Sequence, residues 1–61
     1  MNFRVSFNSI DDAKKFQSEV YKHYRKSYFK RFARRNGLTV ITNATRKQIY
    51  WILNDSKIRA F

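Results

Sequence analysis

The chain has a single glycine, Gly37, and no proline. Glycine and proline are the strongest local signals of turns and loops, so neither linkers nor low-complexity tracts are expected between its elements. We therefore predict one small domain covering residues 1–61. A domain of this size buries only about 60% of the surface that its unfolded chain exposes, which leaves a thin core.

Few of the usual supports for a small fold are present in the sequence. There is no cysteine for disulfides, and one histidine with four acidic residues offers no credible structural metal cluster. Aromatic bulk remains, because the chain has 6 Phe, 4 Tyr and 1 Trp, each of which can bury roughly 150–250 Å². Formation of a homodimer is the other way to gain buried area.

The first part of the chain predicts a strand followed by a long helix. Apolar and polar side chains alternate across residues 2–7, which is the pattern of a strand with one buried face. Asn8 or Ser9 can cap the helix, since two aspartates follow in its first turn, near the positive end of the helix dipole. This helix can run as far as Asn36, where Gly37 tolerates the positive φ of a helix C-terminus.

The second part predicts another strand and another helix. Residues 38–42 form a β-branched run that is typical of a largely buried strand. Asn43 or Thr45 caps a second helix that ends near Asn54. Residues 57–61 alternate charged and apolar side chains, and either a third strand or a frayed tail fits them.

The predicted order is therefore β-α-β-α, with a last β in one alternative. It indicates an α+β fold, a small α/β two-layer arrangement in which a long basic first helix packs on a two- or three-stranded sheet. Strands that alternate with helices favour parallel pairing through right-handed crossovers.

The charge of the chain is strongly one-sided. Its 14 Lys and Arg residues oppose 4 Asp and Glu residues, for a formal net charge of +10 and a pI near 10.6. Between Lys22 and Arg35, seven of fourteen residues are basic and none is acidic. Cations at this density repel one another unless phosphates or acidic groups of another protein lie nearby, so the segment predicts an anionic partner.

The long predicted helix has two different faces. Apolar residues form a core stripe from Ala13 to Tyr24, and beyond Tyr24 the stripe drifts round the helix. The aromatic side chains of Phe29 and Phe32 then either pack on the rest of the fold or form a face for self-association or a partner.

Opposite that stripe, four lysines at helical spacing span roughly 22 Å, a length that matches several phosphates along a nucleic acid. A solvated lysine face is the alternative, although such faces usually mix charges of both signs. The four are Lys15, Lys22, Lys26 and Lys30.

A second candidate site opens the second helix. Arg46 and Lys47 stand there beside Tyr50 and Trp51. Cations at a helix N-terminus oppose the dipole unless an anion binds there, and bases stack on exposed aromatic rings. The four residues suit single-stranded nucleic acid; burial of Trp51 in the core is the alternative.

The first strand contributes a third basic surface. Arg4 and Ser6 are expected on the sheet face away from the first helix, where the charged residues of the tail can join them. In outline this is how sheet-type RNA binders work, but the aromatic pair and glycine spacing of an RNP motif are absent. Burial of this face in a dimer is the alternative.

Catalysis is poorly supported. Glu19 and His23 are four residues apart on the first helix, so a surface hydrogen bond explains them, and nothing else completes a nuclease site. No glycine-rich phosphate loop, zinc spacing or nucleophile motif occurs. We expect no enzyme activity, no catalytic residue, no metal and no cofactor. A cytoplasmic location is expected, because no secretory or membrane-spanning apolar run is present.

Two functions fit these observations. The first is a small non-enzymatic nucleic-acid-binding protein, for DNA or RNA, whose basic, aromatic-rich helix contacts the phosphate backbone. The alternative is a regulator, such as an inhibitor or antitoxin-like polypeptide, that docks the same helix on an acidic partner protein. Binding to an anionic membrane surface ranks below both. The candidate nucleic-acid-binding residues are Lys15, Lys22, Arg25, Lys26, Lys30, Arg31, Arg34, Arg35, Arg46, Lys47, Tyr50 and Trp51.

Overall fold

The computed structural model describes residues 2–24 and 30–60. In chain order it contains strand β1 (Phe3–Ser6), helix α1 (Ile10–Tyr24), strands β2 (Ala33–Asn36) and β3 (Thr39–Thr42), and helix α2 (Arg46–Ser56). The strands form one sheet in the order β1-β3-β2. The predicted α+β class, with the first helix packed on a small sheet, is confirmed.

Two details of the prediction are wrong. The first helix does not reach Asn36, because Ala33–Asn36 is strand β2 and forms a hairpin with β3. Gly37 is therefore the first residue of the hairpin turn and not a helix cap; its φ of 63° is what a type II′ turn requires at that position. The hairpin also makes the sheet antiparallel, with both β1 and β2 running opposite to β3, where parallel pairing was expected.

Local signals explain where the helices begin. The Ser9 hydroxyl accepts a hydrogen bond from the Asp12 N–H at 3.2 Å, so Ser9 caps α1. Thr45 caps α2, and the Gln48 side chain accepts in return from the Thr45 N–H at 2.9 Å. This capping box satisfies two backbone donors that a helix start leaves unpaired. Helix α2 ends at Ser56, and Lys57, with a φ of 55°, is its C-cap in the left-handed conformation.

One hydrophobic core lies between the two helices and one face of the sheet. The buried α1 side chains are those of the predicted stripe, and Phe7 packs on Phe16 with ring centroids 5.2 Å apart. The prediction that residues 2–7 bury one face of a strand is confirmed by Val5 and Phe7. The core consists of Val5, Phe7, Ala13, Phe16, Val20, Ala33, Val40, Ala44, Ile49, Ile52 and Ile58.

The C-terminal tail adds to the sheet only briefly. Ile58 is buried in the core, and Ala60 forms an isolated antiparallel bridge with Phe7. Among the described residues 57–60 the structure therefore has neither a strand nor a fully frayed tail, but a segment with one buried side chain and a single bridge. Phe61 lies outside the described residues.

Candidate nucleic-acid interface

The sheet face opposite the helices is basic and exposed to solvent. Side chains alternate along a strand, and the inner rows contain buried Val5 and Val40. The rows on either side of this pair, in which Arg4 pairs with Ile41 and Ser6 with Thr39, therefore point away from the helices. We call this surface the open face; it consists of Arg4, Ser6, Arg34, Asn36, Thr39 and Ile41.

The register places the two arginines of the open face on either side of one aliphatic residue. Ile41 is the pairing partner of Arg4 on β1 and of Arg34 on β2. Two strand spacings separate the arginines, about 10 Å between Cα atoms. Both are exposed, whereas Ile41 is partly exposed. In the neighbouring row the hydroxyl oxygens of Ser6 and Thr39 are 3.4 Å apart.

Charges of the two signs are segregated in the fold. The three strands contain three arginines and no acidic residue. All four acids of the chain lie on helices, with three on α1 and Asp55 on α2. The exposed side of α1 therefore mixes both signs, while the open face has arginine as its sole ionisable residue type.

The hairpin that presents Arg34 is held by side-chain hydrogen bonds in addition to those between its strands. Thr42 is fully buried, and its hydroxyl donates to the Phe32 carbonyl at 2.6 Å. The Asn43 side-chain oxygen accepts from the Phe32 N–H at 2.8 Å. At the tip, the Arg35 guanidinium donates to the Gly37 carbonyl at 3.2 Å. These bonds fix the strand that carries one half of the basic pair.

The predicted lysine stripe is divided by the structure. Lys15 and Lys22 are exposed on α1, where Glu19 lies between them. Lys30 is exposed but outside any helix, with a φ of 47°. A single stripe from Lys15 to Lys30 on one helix is therefore wrong. Arg25 and Lys26, like the aromatic Phe29, lie outside the described residues.

Arg31 has hydrogen-bond partners within the protein. Its guanidinium donates to the Gln48 side-chain oxygen at 3.0 Å and to the Asn43 carbonyl at 3.1 Å. It thereby ties the segment before β2 to the first turn of α2. We assign this side chain to holding the fold together, although its charge still adds to the local field.

The four candidate residues of α2 are exposed, but they do not form one cluster. Trp51 is 49% exposed and stands edge-on to the His23 ring at 4.8 Å, so burial of Trp51 in the core is excluded. Tyr50 is 60% exposed and lines a groove beside β1 together with Arg46. Lys47 is exposed and is not among the residues that line this groove.

The predicted contact between Glu19 and His23 is confirmed. The Glu19 carboxylate lies 3.1 Å from His23 Nε2 across one turn of α1. Within residues 2–24 and 30–60 no three metal-ligating side chains come together. No helix in the same part of the chain is long and apolar enough to cross a bilayer.

Part of the open face does not follow from the sequence interpretation. Asn36, Thr39 and Ile41 are not among the predicted site residues, and the prediction has Arg34 on a helix. The dipeptide Asn36-Gly37 before a β-branched run is a strong hairpin signal, and it would have placed Arg34 on a strand that pairs with residues 38–42. Comparison with protein-family models, with curated proteins and with solved structures found no match for this chain.

Proposed function

We propose that this protein binds nucleic acid, without catalysing a reaction, and that the open face contacts the phosphate backbone. The observation that carries the proposal is the segregation of charge. An exposed sheet face with Arg4 and Arg34, and with no acid on any strand, stands on a chain whose net charge is +10. Phosphate contacts of this kind supply most of the affinity in non-specific nucleic-acid binding.

The chemistry of the two side chains supports a phosphate ligand. Arginine is always charged, and its planar donor fork matches two phosphate oxygens at once. Because the pair sits on strands of one sheet, its spacing is fixed before the ligand arrives. The hydroxyls of Ser6 and Thr39 and the Asn36 amide are neutral donors that can add further backbone contacts.

The lysines of α1 contribute in a different way. Lys15 and Lys22 lie on a helix that also carries three acids, so they raise the general potential without forming a uniformly basic surface. We therefore assign them to long-range attraction, which salt screens over about 10 Å at 0.1 M. DNA and RNA both present the phosphates that this mechanism requires.

The test is the salt dependence of binding for matched single substitutions. For Arg4→Ala and for Arg34→Ala, the slope of log K against log salt should become shallower by about 0.9 on duplex DNA for each phosphate that the variant no longer neutralises. Lys14→Ala removes the same charge from an exposed position on α1 and should leave the slope nearly unchanged. Fluorescence anisotropy with labelled DNA and RNA at four salt concentrations measures all three.

Two outcomes contradict the proposal. Absence of binding to any labelled DNA or RNA at low salt removes the function. An equal change for Lys14→Ala and the two arginine variants removes the assignment to the open face. Retention of one stoichiometric protein from nuclease-treated lysate, with no nucleic acid bound, would favour the acidic-partner alternative instead.

A further inference from the structure

A groove runs between the outer edge of β1 and helix α2, on the side of the sheet that carries the core. Its volume is about 280 Å³. Apolar side chains of both elements line it, and Tyr50 and Arg46 are the aromatic and charged contributions of α2. The side chains that matter for its chemistry are those of Phe3, Val5, Arg46, Ile49, Tyr50 and Leu53, and Arg4 adds its backbone.

The backbone of β1 offers hydrogen-bonding groups to this groove. In an antiparallel pair, residues alternate between those bonded to the neighbouring strand and those that point away. The Phe7 N–H donates to the Leu38 carbonyl at 2.9 Å, so Phe7, Val5 and Phe3 are the residues that bond towards β3. The N–H and C=O of Arg4 therefore point outwards, and Arg4 lines the groove.

The electrostatic character of the groove is positive. The Arg46 side chain lines it, the Arg4 side chain lies across the β1 edge on the open face, and no acid is among its lining residues. The Arg46 guanidinium lies 5.7 Å from the centre of the Phe3 ring, at the distance of a cation–π contact. A second copy of this chain would bring another +10 of charge against these arginines, which disfavours self-association here. An occupant with phosphate or carboxylate groups is favoured instead.

We propose that this groove holds one unpaired base of a single-stranded nucleic acid; the inference rests on the proposed function. The exposed Tyr50 ring provides a surface for stacking, and the aliphatic side chains accept the rest of an aromatic ring. The outward N–H and C=O of Arg4 form a donor–acceptor pair that fits the edge of a base. Arg46 is placed to contact the adjoining phosphate.

Selectivity for single strands follows from this geometry. A base within a duplex has its faces stacked and its Watson–Crick edge paired, so it can enter a lateral groove only by leaving the helix. The open face is indifferent to pairing, because both kinds of nucleic acid present phosphates. Single strands can therefore fill the groove, whereas intact duplexes cannot.

The decisive experiment compares Tyr50→Ala with Trp51→Ala. Both side chains are exposed aromatic residues of α2, but Trp51 is not among the residues that line the groove. Loss of one stacked base should weaken binding of a labelled 12-nucleotide single strand roughly 5- to 160-fold for Tyr50→Ala. Binding of the corresponding duplex should change less than twofold, and Trp51→Ala should change neither ligand by more than twofold.

Arg46→Ala and Lys47→Ala form a second matched pair. The two residues are adjacent and exposed on the first turn of α2, and of the two only Arg46 lines the groove. Arg46→Ala should weaken the single strand more than Lys47→Ala does. In addition, the single strand should shift the amide resonances of Arg4 and Leu53 in the unaltered protein, which gives a measurement that depends on no variant.

Three results would overturn the inference. One is an equal loss of single-strand affinity for Tyr50→Ala and Trp51→Ala. Another is that Tyr50→Ala weakens binding of the duplex as much as binding of the single strand. The third is that the blocked peptide Glu-Val-Glu-Val-Glu-Val shifts Arg4 and Leu53 while the single strand does not, which would identify the groove as a site for an added acidic strand. If Arg4→Ala and Arg34→Ala still reduce the salt slope in any of these cases, the proposed function stands without the base site.

Discussion

The two edges of the sheet differ in how their outward backbone groups are bonded. On the β2 edge, α1 supplies partners for both backbone groups of Ala33. The Tyr21 hydroxyl donates to the Ala33 carbonyl at 3.0 Å and accepts from its N–H at 3.2 Å. The Gln17 side chain donates to the same carbonyl at 2.9 Å. On the β1 edge, the outward groups of Arg4 face a groove.

Open strand edges invite pairing with other chains, and proteins usually block them with side chains, charges or covering elements. Here α1 covers the Ala33 end of one edge with neutral hydrogen bonds, while Arg4 and Arg46 lie beside the other edge. This difference agrees with the proposed groove site, because the covered Ala33 edge has a structural role and the outward groups of Arg4 are left for the proposed ligand. Three substitutions test whether the edges differ in this way.

The largest effect is expected at Ile58, which anchors the tail that bridges β1 at Phe7. Ile58 is 7% exposed, and truncation of a buried isoleucine to alanine typically costs about 2–5 kcal/mol. A chain of this length has a total stability of roughly 3–9 kcal/mol. Ile58→Ala should therefore lower the urea midpoint sharply and speed amide exchange at the Phe7 end of β1.

The control for that experiment is Leu38→Ala. Leu38 is 43% exposed in the hairpin turn, and surface substitutions of this kind usually change stability by at most about 0.5 kcal/mol. A decrease in stability below about 1 kcal/mol for Ile58→Ala, well short of the range for a buried isoleucine, would show that the tail does not close any part of the β1 edge.

An intermediate effect is expected when the β2 edge is opened. Tyr21→Phe removes the hydroxyl that bonds both backbone groups of Ala33 and leaves the N–H without that acceptor. An unsatisfied, largely buried donor costs about 1–3 kcal/mol. Unfolding in urea should show this decrease, and the Ala33 amide should lose protection from hydrogen exchange. Tyr50→Phe is the matched control; similar decreases for both variants would argue against a closing role for Tyr21.

The smallest effect is expected for Gln17→Ala. The Ala33 carbonyl then keeps its bond from Tyr21, so only one of two donors to that oxygen is removed, at a cost of about 0.5–1.5 kcal/mol. The double variant with Tyr21→Phe should cost more than the sum of the single changes, because the carbonyl then has neither donor. Strict additivity would mean that the two side chains do not share the Ala33 carbonyl.

Much of the fold could be predicted because several local signals agree with the tertiary structure. The alternation in residues 2–7, the caps Ser9 and Thr45 and the β-branched run of β3 all appear in the expected elements. In each case the local preference of the residue and its position in the fold favour the same secondary structure. Such agreement is what allows an element to be predicted from sequence.

Strand β2 could not be found in the same way. Of its four residues only Ala33 is buried, so the segment has no period-two pattern. Arginine and alanine are good helix formers, and a glycine after them reads equally well as a helix cap. What keeps β2 in the sheet is tertiary: pairing with β3 and the bonds from Tyr21 and Gln17, which are 12 and 16 residues away in sequence.

The sequence predicts a basic sheet face with Arg4, and the structure contains it. The anionic partner stays a prediction, and the placement of the other candidate residues was predicted less well. The sequence interpretation also grouped Tyr50 with Trp51, because neighbours in sequence look like neighbours in space. Adjacent helical positions point about 100° apart, and the structure has Trp51 against His23 and Tyr50 at the groove.

The strand order β1-β3-β2 has a consequence for how the chain folds. Asn36 and Thr39 flank a two-residue turn, whereas Ser6 and Thr39 are 33 residues apart in sequence. Hairpins close in about 1–10 μs, but the longer loop loses more chain entropy before its contacts form. We expect the β2–β3 hairpin to form early and β1 to join last. The strand that borders the proposed ligand groove is then also the one whose docking limits the folding rate.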